Sequence, residues 1–340
     1  MKKYVLIERI VIIVAAAVAL AQTIIGNLST GIGLLALGGF VFLFGYRSRR
    51  RLFSLEGCLQ DEVKTLVSEG LNHVAIRWAE STSRALWVDG SYRARAEIGA
   101  LAIRAADAIG IEAIRHKIRA MIDDCGWTSV EMGMLKEGER WLREGIQLAQ
   151  DHNYPYMKAK GLRHLGGKHL RNHDLATAEH TLQEAFDATA GLPDGPEKDE
   201  LLAEWYYAQG VLFLAQGDLA KAARSVSEAE KEYTRLPNKE WRAKIQVRKG
   251  EIEFRSGDAA KALGIFSEAK AVASEHHYKR VLVKSRLWLA KVYLELNQVA
   301  EAKAELHAIH KEIKESDMLQ EQKELASLHA SLRQRHLVTP

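Results

Sequence analysis

The segment GDLAKAARSVSEA, residues 217–229, has four relatives elsewhere in the chain. GMLKEGERWLREG (133–145), HDLATAEHTLQEA (173–185), GDAAKALGIFSEA (257–269) and NQVAEAKAELHAI (297–309) follow the same scheme. A small residue recurs inside them at Gly138, Ala178, Ala222, Ala262 and Ala302, at intervals of 40, 44, 40 and 40 residues. A second small residue runs in parallel at Gly126, Gly166, Gly210, Gly250 and Ala290, with the same intervals. The long interval coincides with the turn-rich stretch GLPDGP, residues 191–196. A fixed period of this length leaves few folds open. Each unit is one supersecondary element that cannot bury its apolar face alone, so neighbours must stack into an array.

The residue types say which element. After residue 50 the chain is dominated by Ala, Leu, Glu, Lys and Arg, and the whole sequence holds only five prolines. That composition favours helix. Each unit reads as two helices joined by a tight turn. Gly217 or Gly257 supplies the left-handed residue that ends the first helix. Asp218 or Asp258 then accepts hydrogen bonds from the free amides of the second. Small residues such as Gly210 and Ala222 let the helices cross closely, while Phe213 and Val226, or Phe254 and Phe266, fill the space between units.

These residues resemble the tetratricopeptide repeat (TPR) family, whose usual unit is ~34 residues with an Ala-x3-Phe pattern in its second helix. Ala262 and Phe266 match that pattern, and Tyr206, Gly210, Phe213, Ala222 and Ala229 trace most of the rest. The longer period is similar to the forty-residue variants in bacterial signalling regulators and kinesin light chains. The expected architecture is all-α: five TPR-like helix pairs over residues 111–316, forming an α-solenoid. A degenerate unit and an extra helix precede it in 52–110, and a capping helix and tail follow in 317–340.

The first 51 residues are different. Residues 10–25 and 28–46 carry no charge and are separated by Gly26 and Asn27. The second run has 19 residues, just enough to cross ~30 Å of hydrocarbon. Small residues (Ala15, Ala16, Ala17, Ala19 and Ala21 in the first, Gly31, Gly33, Gly38 and Gly39 in the second) favour close approach of two helices in lipid. The expectation is a transmembrane hairpin spanning residues 4–46. Lys2 and Lys3 precede it and Arg47, Arg49, Arg50 and Arg51 follow, so both ends and the repeat array would be cytoplasmic, with the arginines on anionic headgroups. ALAQ, residues 19–22, also fits a signal-peptide cleavage site, which would still leave the second segment to anchor the body. The layout is similar to that of bacterial inner-membrane HemY-type proteins associated with heme synthesis; the likeness is one of architecture. The Gly-rich second segment also permits homo-oligomers.

Chemistry-bearing motifs are missing. No Gly-x4-Gly-Lys-Ser/Thr, His-Glu-x-x-His, Cys-x-x-Cys or Gly-x-Ser-x-Gly occurs, so the chain reads as no enzyme and needs no cofactor. Cys58 and Cys125 form neither a disulfide framework nor a zinc site. His169 and His173 are four apart, but no spacing supplies a third ligand, so no metal is expected. A net charge of +4 gives no case for nucleic acid.

Function is therefore sought on the concave face. The TPR resemblance implies that partner proteins or peptides bind there, on the first helix of each unit. The implied positions lie six and three before the aligned small residue and one, four and five after it. They select Lys160, Arg163, Arg171, Lys244, Arg255, Lys284 and Lys291 against Glu204, Glu251 and Glu295, with Tyr207 and Phe254 as apolar contacts. This basic excess suits an acidic or C-terminal-carboxylate segment; the plain alternative is a solvated face. The expected function is a membrane-tethered scaffold or adaptor. A sensor that changes conformation on binding ligand and a TPR-gated membrane effector are the rival readings.

Overall fold

The computed structural model describes residues 52–338, apart from residues 235, 237–238 and 314–316. The two apolar segments and their basic flanks lie outside the described residues. Among those described, every regular element is helical, and no helix is long and apolar enough to cross a membrane.

Three helices come first: α1 (Leu52–Ser68), α2 (Asn72–Asp89) and α3 (Tyr92–Ile109). A single 3-10 turn, Ile111–Ala113, then leads into one continuous helical run. It comprises α4 (Ile114–Arg119), a π-helical segment (Ala120–Trp127) and α5 (Thr128–Glu131). The run pairs with α6 (Leu135–Asp151). Four further pairs follow: α7 (Pro155–Arg171) with α8 (Leu175–Ala190), α9 (Pro196–Gln216) with α10 (Leu219–Thr234), α11 (Lys239–Arg255) with α12 (Ala259–Glu275), and α13 (Lys279–Glu295) with α14 (Val299–Ile313). Helix α15 (Leu319–Val338) ends the described chain.

Each pair turns at the same place. Gly133, His173, Gly217, Gly257 and Asn297 all have positive φ, between 55° and 90°. The residue after each closes a loop back into the first helix. Met134, Asp174, Asp218, Asp258 and Gln298 donate their amides to the carbonyls of Ser129, His169, Phe213, Glu253 and Tyr293, at 2.7–3.1 Å. This pattern satisfies carbonyls that the helix end would otherwise leave unpaired. The Asp218 and Asp258 carboxylates then each accept an amide hydrogen bond, from Lys221 and Lys261, at 2.9 Å.

Packing within a pair rests on one repeated contact. A Cβ added to Gly126, Gly166, Gly210 or Gly250 would lie 2.6–2.9 Å from Leu142, Leu182, Val226 or Phe266, the side chain sixteen residues on. Ala290 and Leu306 hold the same register in the last pair and share one buried cluster. The second helix therefore seats its large residue directly on the first helix's backbone. Phe266, with no exposed surface, also stacks on Trp288 of the next unit, 5.6 Å between ring centroids and 4° between planes.

The array closes on itself. Tyr92 joins Val283, Leu287 and Met318 in one buried cluster, and Trp87 packs against it. The Arg93 amide donates to the Asp317 carboxylate at 2.9 Å. Arg84 and the indole N–H of Trp87 reach Glu240 of α11. Leu325, Leu328 and Leu332 of α15 bury against the same cluster as Leu287 and Leu294 of α13. A cavity is left between the early helices, the first helices of the later pairs and the start of α15.

The crossing contact predicts a reversal of sign. In the native protein Gly250→Ala forces the Phe266 ring to move, a strain of ~1–3 kcal/mol that exceeds the ~1 kcal/mol gain in helix propensity. With Phe266→Ala already in place, itself costing ~3–5 kcal/mol, the same Gly250→Ala change stabilises. Urea unfolding of the four proteins measures this coupling.

Candidate binding cavity

The cavity has a volume of about 540 Å³, within the range of ligand pockets. Its wall is built mainly from the first helix of every pair, because successive units turn that helix inward. Arg119, Asp123, Trp127 and Glu131 come from the run before α6. Helix α7 supplies Lys160, Arg163, His164, Gly167, Leu170 and Arg171, and α9 supplies Glu200, Glu204, Tyr207, Ala208 and Val211. From α11 come Glu240, Trp241, Lys244, Val247 and Arg248, and from α13 Arg280, Val281 and Lys284. Glu80, Ser83, Arg84 and Trp87 of α2, Arg95 of α3 and Gln320 of α15 complete it.

Aromatic rings form the apolar part of this wall. Trp127 stacks on His164 at 4.6 Å, with the guanidinium groups of Arg163 and Arg171 over its ring at 5.7 and 5.6 Å. Lys244 lies 4.4 Å from the Trp241 ring centroid, and Trp241 stacks on the buried Tyr233. Such contacts hold cations at a dry surface without neutralising them.

The charges sort into linked pairs. At the start of the cavity Asp124, 1% exposed, lies just behind the wall. It accepts from Ser83 at 2.6 Å and pairs with Arg95 at 3.1 Å and Arg119 at 2.7 Å. Arg95 continues to Thr128 (2.7 Å), and Arg119 to Glu80 (2.9 Å). The adjacent Asp123 faces the cavity, where Lys160 meets it at 2.8 Å. Burial alone would raise the Asp123 carboxyl, but Lys160 and His164 outweigh it and hold it well below the usual range. His164 itself is pushed well down by burial and by Arg163, so it is neutral at physiological pH.

In the middle of the wall Arg163 pairs with Glu204, and Glu240 pairs with Lys244 at 2.6 Å and Arg84 at 3.1 Å. Glu200 makes no hydrogen bond or ion pair with any described residue; burial and the neighbouring Glu204 raise its carboxyl. At the far end Glu131 is shared by Arg171 and Arg280. Glu321 of α15 is shared by Arg280 at 3.4 Å and Lys284 at 3.9 Å. Glu251 is shared by Arg248 and Arg255. Cations therefore outnumber carboxylates at this end. Lys284 registers the excess: burial, and repulsion by Arg280, Arg248 and Arg171, push its ammonium well below the ordinary value.

Of the nine groove positions selected from the sequence, Lys160, Arg163, Arg171, Tyr207, Lys244 and Lys284 line this cavity. Phe254, Arg255 and Lys291 lie away from it. Phe254 packs edge-on against Trp288 in the core between units. Arg255 is exposed and caps the Leu214 carbonyl. Lys291 sits 4.0 Å over the Trp288 ring and pairs with Glu324. The cause is a drift in register. In α7 all five implied positions face inward, whereas in α13 only the earliest one does, because α15 covers the later half. The drift brings in a position ten before the small residue, occupied by Glu200, Glu240 and Arg280, which sequence reasoning missed. Their repeat spacing of 40 residues was the available signal.

Two variants probe these charges. Asp124→Ala leaves the buried Arg95 without its carboxylate and the half-buried Arg119 with Glu80 alone, and is expected to cost ~3–5 kcal/mol in urea unfolding. Glu321 titrates at about 2 because Arg280, Lys284 and Arg171 outweigh its burial. A carboxyl depressed in the folded state contributes stability in full above its unfolded pKa, and that contribution is lost as pH falls through the folded value. Stability is therefore expected to drop between pH 4.5 and about 2, and Glu321→Gln removes part of that slope in acid-unfolding curves.

Three solved structures share this arrangement of helices. A Rap protein complexed with Competence and Sporulation Factor has a TM-score of 0.58 at 14% identity, over 92% of this chain and 90% of that one. The Rap conjugation gene regulator of the plasmid pLS20, in complex with the Phr* peptide, gives 0.56 at 14% identity, over 89% and 78%. A signal-transduction ATPase with a tetratricopeptide repeat sensor from Pyrococcus horikoshii gives 0.53 at 15% identity, over 89% of this chain and 43% of that one. At these identities the likeness shows the fold: an all-α, TPR-like repeat. No protein-family model matches the sequence, and no curated protein matches it.

Proposed function

We propose that this chain is a membrane-tethered TPR-like adaptor that holds a peptide segment or exposed terminus of a partner protein in its central cavity. The observation that carries the reading is the cavity wall. Successive repeats turn the same helix inward and line about 540 Å³ with tryptophan, tyrosine and ion-paired Arg and Lys. Such a surface supplies both apolar area and charge-assisted hydrogen bonds to an extended ligand. The Rap structures support it by likeness of fold, since each was solved with the signalling factor or peptide named above. The tether rests on the sequence: two uncharged segments within residues 4–46, bounded by Lys2, Lys3, Arg47, Arg49, Arg50 and Arg51. It would fix the array on the cytoplasmic face of a membrane and raise the local concentration of its partner there.

A second reading, a ligand-driven regulator, has one specific observation in its favour. Gln320 and Glu321 at the start of α15 reach Arg171, Arg280 and Lys284 at the cavity. A ligand that took over those cations would displace the end of the array and change its shape.

The test is in-membrane crosslinking with the full chain and with a variant carrying Lys160→Glu, Arg163→Glu, Lys244→Glu and Lys284→Glu, after circular dichroism has established equal helicity. The expected result is loss of one specific partner from the variant, with both proteins resisting alkaline extraction from the membrane. Capture of the same proteins by both chains contradicts the cavity as the binding site. Extraction of the wild-type chain by alkali contradicts the tether.

A further inference from the structure

Two groups of opposite sign in the cavity wall have no hydrogen-bonded counterion among the described residues. Around Glu200 the other groups are already matched, Lys160 with Asp123 and Arg163 with Glu204. Glu200 is left as a carboxylate facing the cavity with no hydrogen bond or ion pair to a described residue. Around Lys284 the imbalance is reversed. Arg171, Arg280 and Lys284 share two carboxylates, Glu131 and Glu321. No described residue hydrogen-bonds to the Lys284 ammonium, and its nearest carboxylate oxygen is 3.9 Å away.

From these two positions we infer that the cavity takes a dipolar ligand, with a cationic group against Glu200 and a carboxylate against Lys284. A charge held in such a wall with only shared or more distant counterions costs stability, so both sites gain from one ligand that brings both signs. A polyanion such as a nucleotide leaves Glu200 facing like charge, and a polyamine does the same to Lys284. Raised titration at Glu200 and depressed titration at Lys284 agree with this: each group is held partly towards its neutral form until a counterion arrives. The wall also carries Tyr207, Trp241 and Val247, which offer apolar area to the rest of the ligand. A short peptide with a free amine and a free carboxylate meets this description. So does a protein C-terminus with a lysine or arginine a few residues upstream. The inference rests on the cavity being the binding site.

The experiment uses the full chain in lipid nanodiscs and a random five-residue peptide library made in four forms: both ends free, N-acetylated, C-amidated, and doubly capped. Retained peptides are quantified by mass spectrometry. The free-ended pool is expected to be retained best, with acetylation or amidation each lowering retention at least ~10-fold, the scale of a lost charge pair. In Glu200→Gln the acetylated and free-amine pools become equivalent, and in Lys284→Met the amidated and free-acid pools do. If acetylated peptides survive only where they contain Lys or Arg, the cation at Glu200 is a side chain, as a protein C-terminus would supply. Equal retention of the doubly capped, Lys- and Arg-free pool overturns the dipolar inference while leaving peptide binding intact. Retention of no pool by the folded wild-type chain also overturns it, and the adaptor reading then stands or falls on the crosslinking result alone.

Discussion

The fold depends on a helix backbone with no side chain in the way of its partner. Gly126, Gly166, Gly210 and Gly250 each receive the large residue sixteen positions later, at separations a Cβ would close. This contact sets the crossing of the two helices in a pair and exposes the opposite stripe of the first helix. Repetition of the same crossing directs those stripes towards a common interior. The cavity is thus a consequence of packing, and its lining was free to become charged because packing uses the other face.

The enclosure adds a second layer. A linear stack would leave its concave face open to water, where exposed ion pairs contribute little. Here α2, α3 and the start of α15 close the array, and charges such as Asp124, Glu131 and Glu321 are nearly inaccessible. Their pairing then matters for stability. The same closure sets Glu321, on the element that completes the wall, beside Arg280 and Lys284.

Much of this was legible in the chain. The turn residues Gly217 and Gly257, the caps Asp218 and Asp258, and the Ala262–Phe266 pair have local causes, and repetition made them visible. Six of the nine groove positions were reachable by the same periodic rule. What escaped has non-local causes. Phe254, Arg255 and Lys291 follow the rule in register, but the drift along the array and the covering by α15 take them off the cavity. Asp124 stands beside Asp123 in sequence and serves a different neighbour, because adjacent residues of a helix point to different sides and only the packing around them says which side is the cavity. Within the apolar cluster of α2 and α3, Ser83 and Arg95 meet Asp124 of the π-helical segment in a polar contact that no residue of the repeated pattern marks.

The most direct measurement of the central claim is hydrogen exchange by mass spectrometry on the full chain, with and without the partner recovered by crosslinking. Binding in the cavity predicts slowed exchange in the first helices of successive pairs, α7, α9 and α11, together with altered exchange at the start of α15. Protection confined to the second helices, α8, α10 and α12, would place the partner on the outer surface and contradict the account.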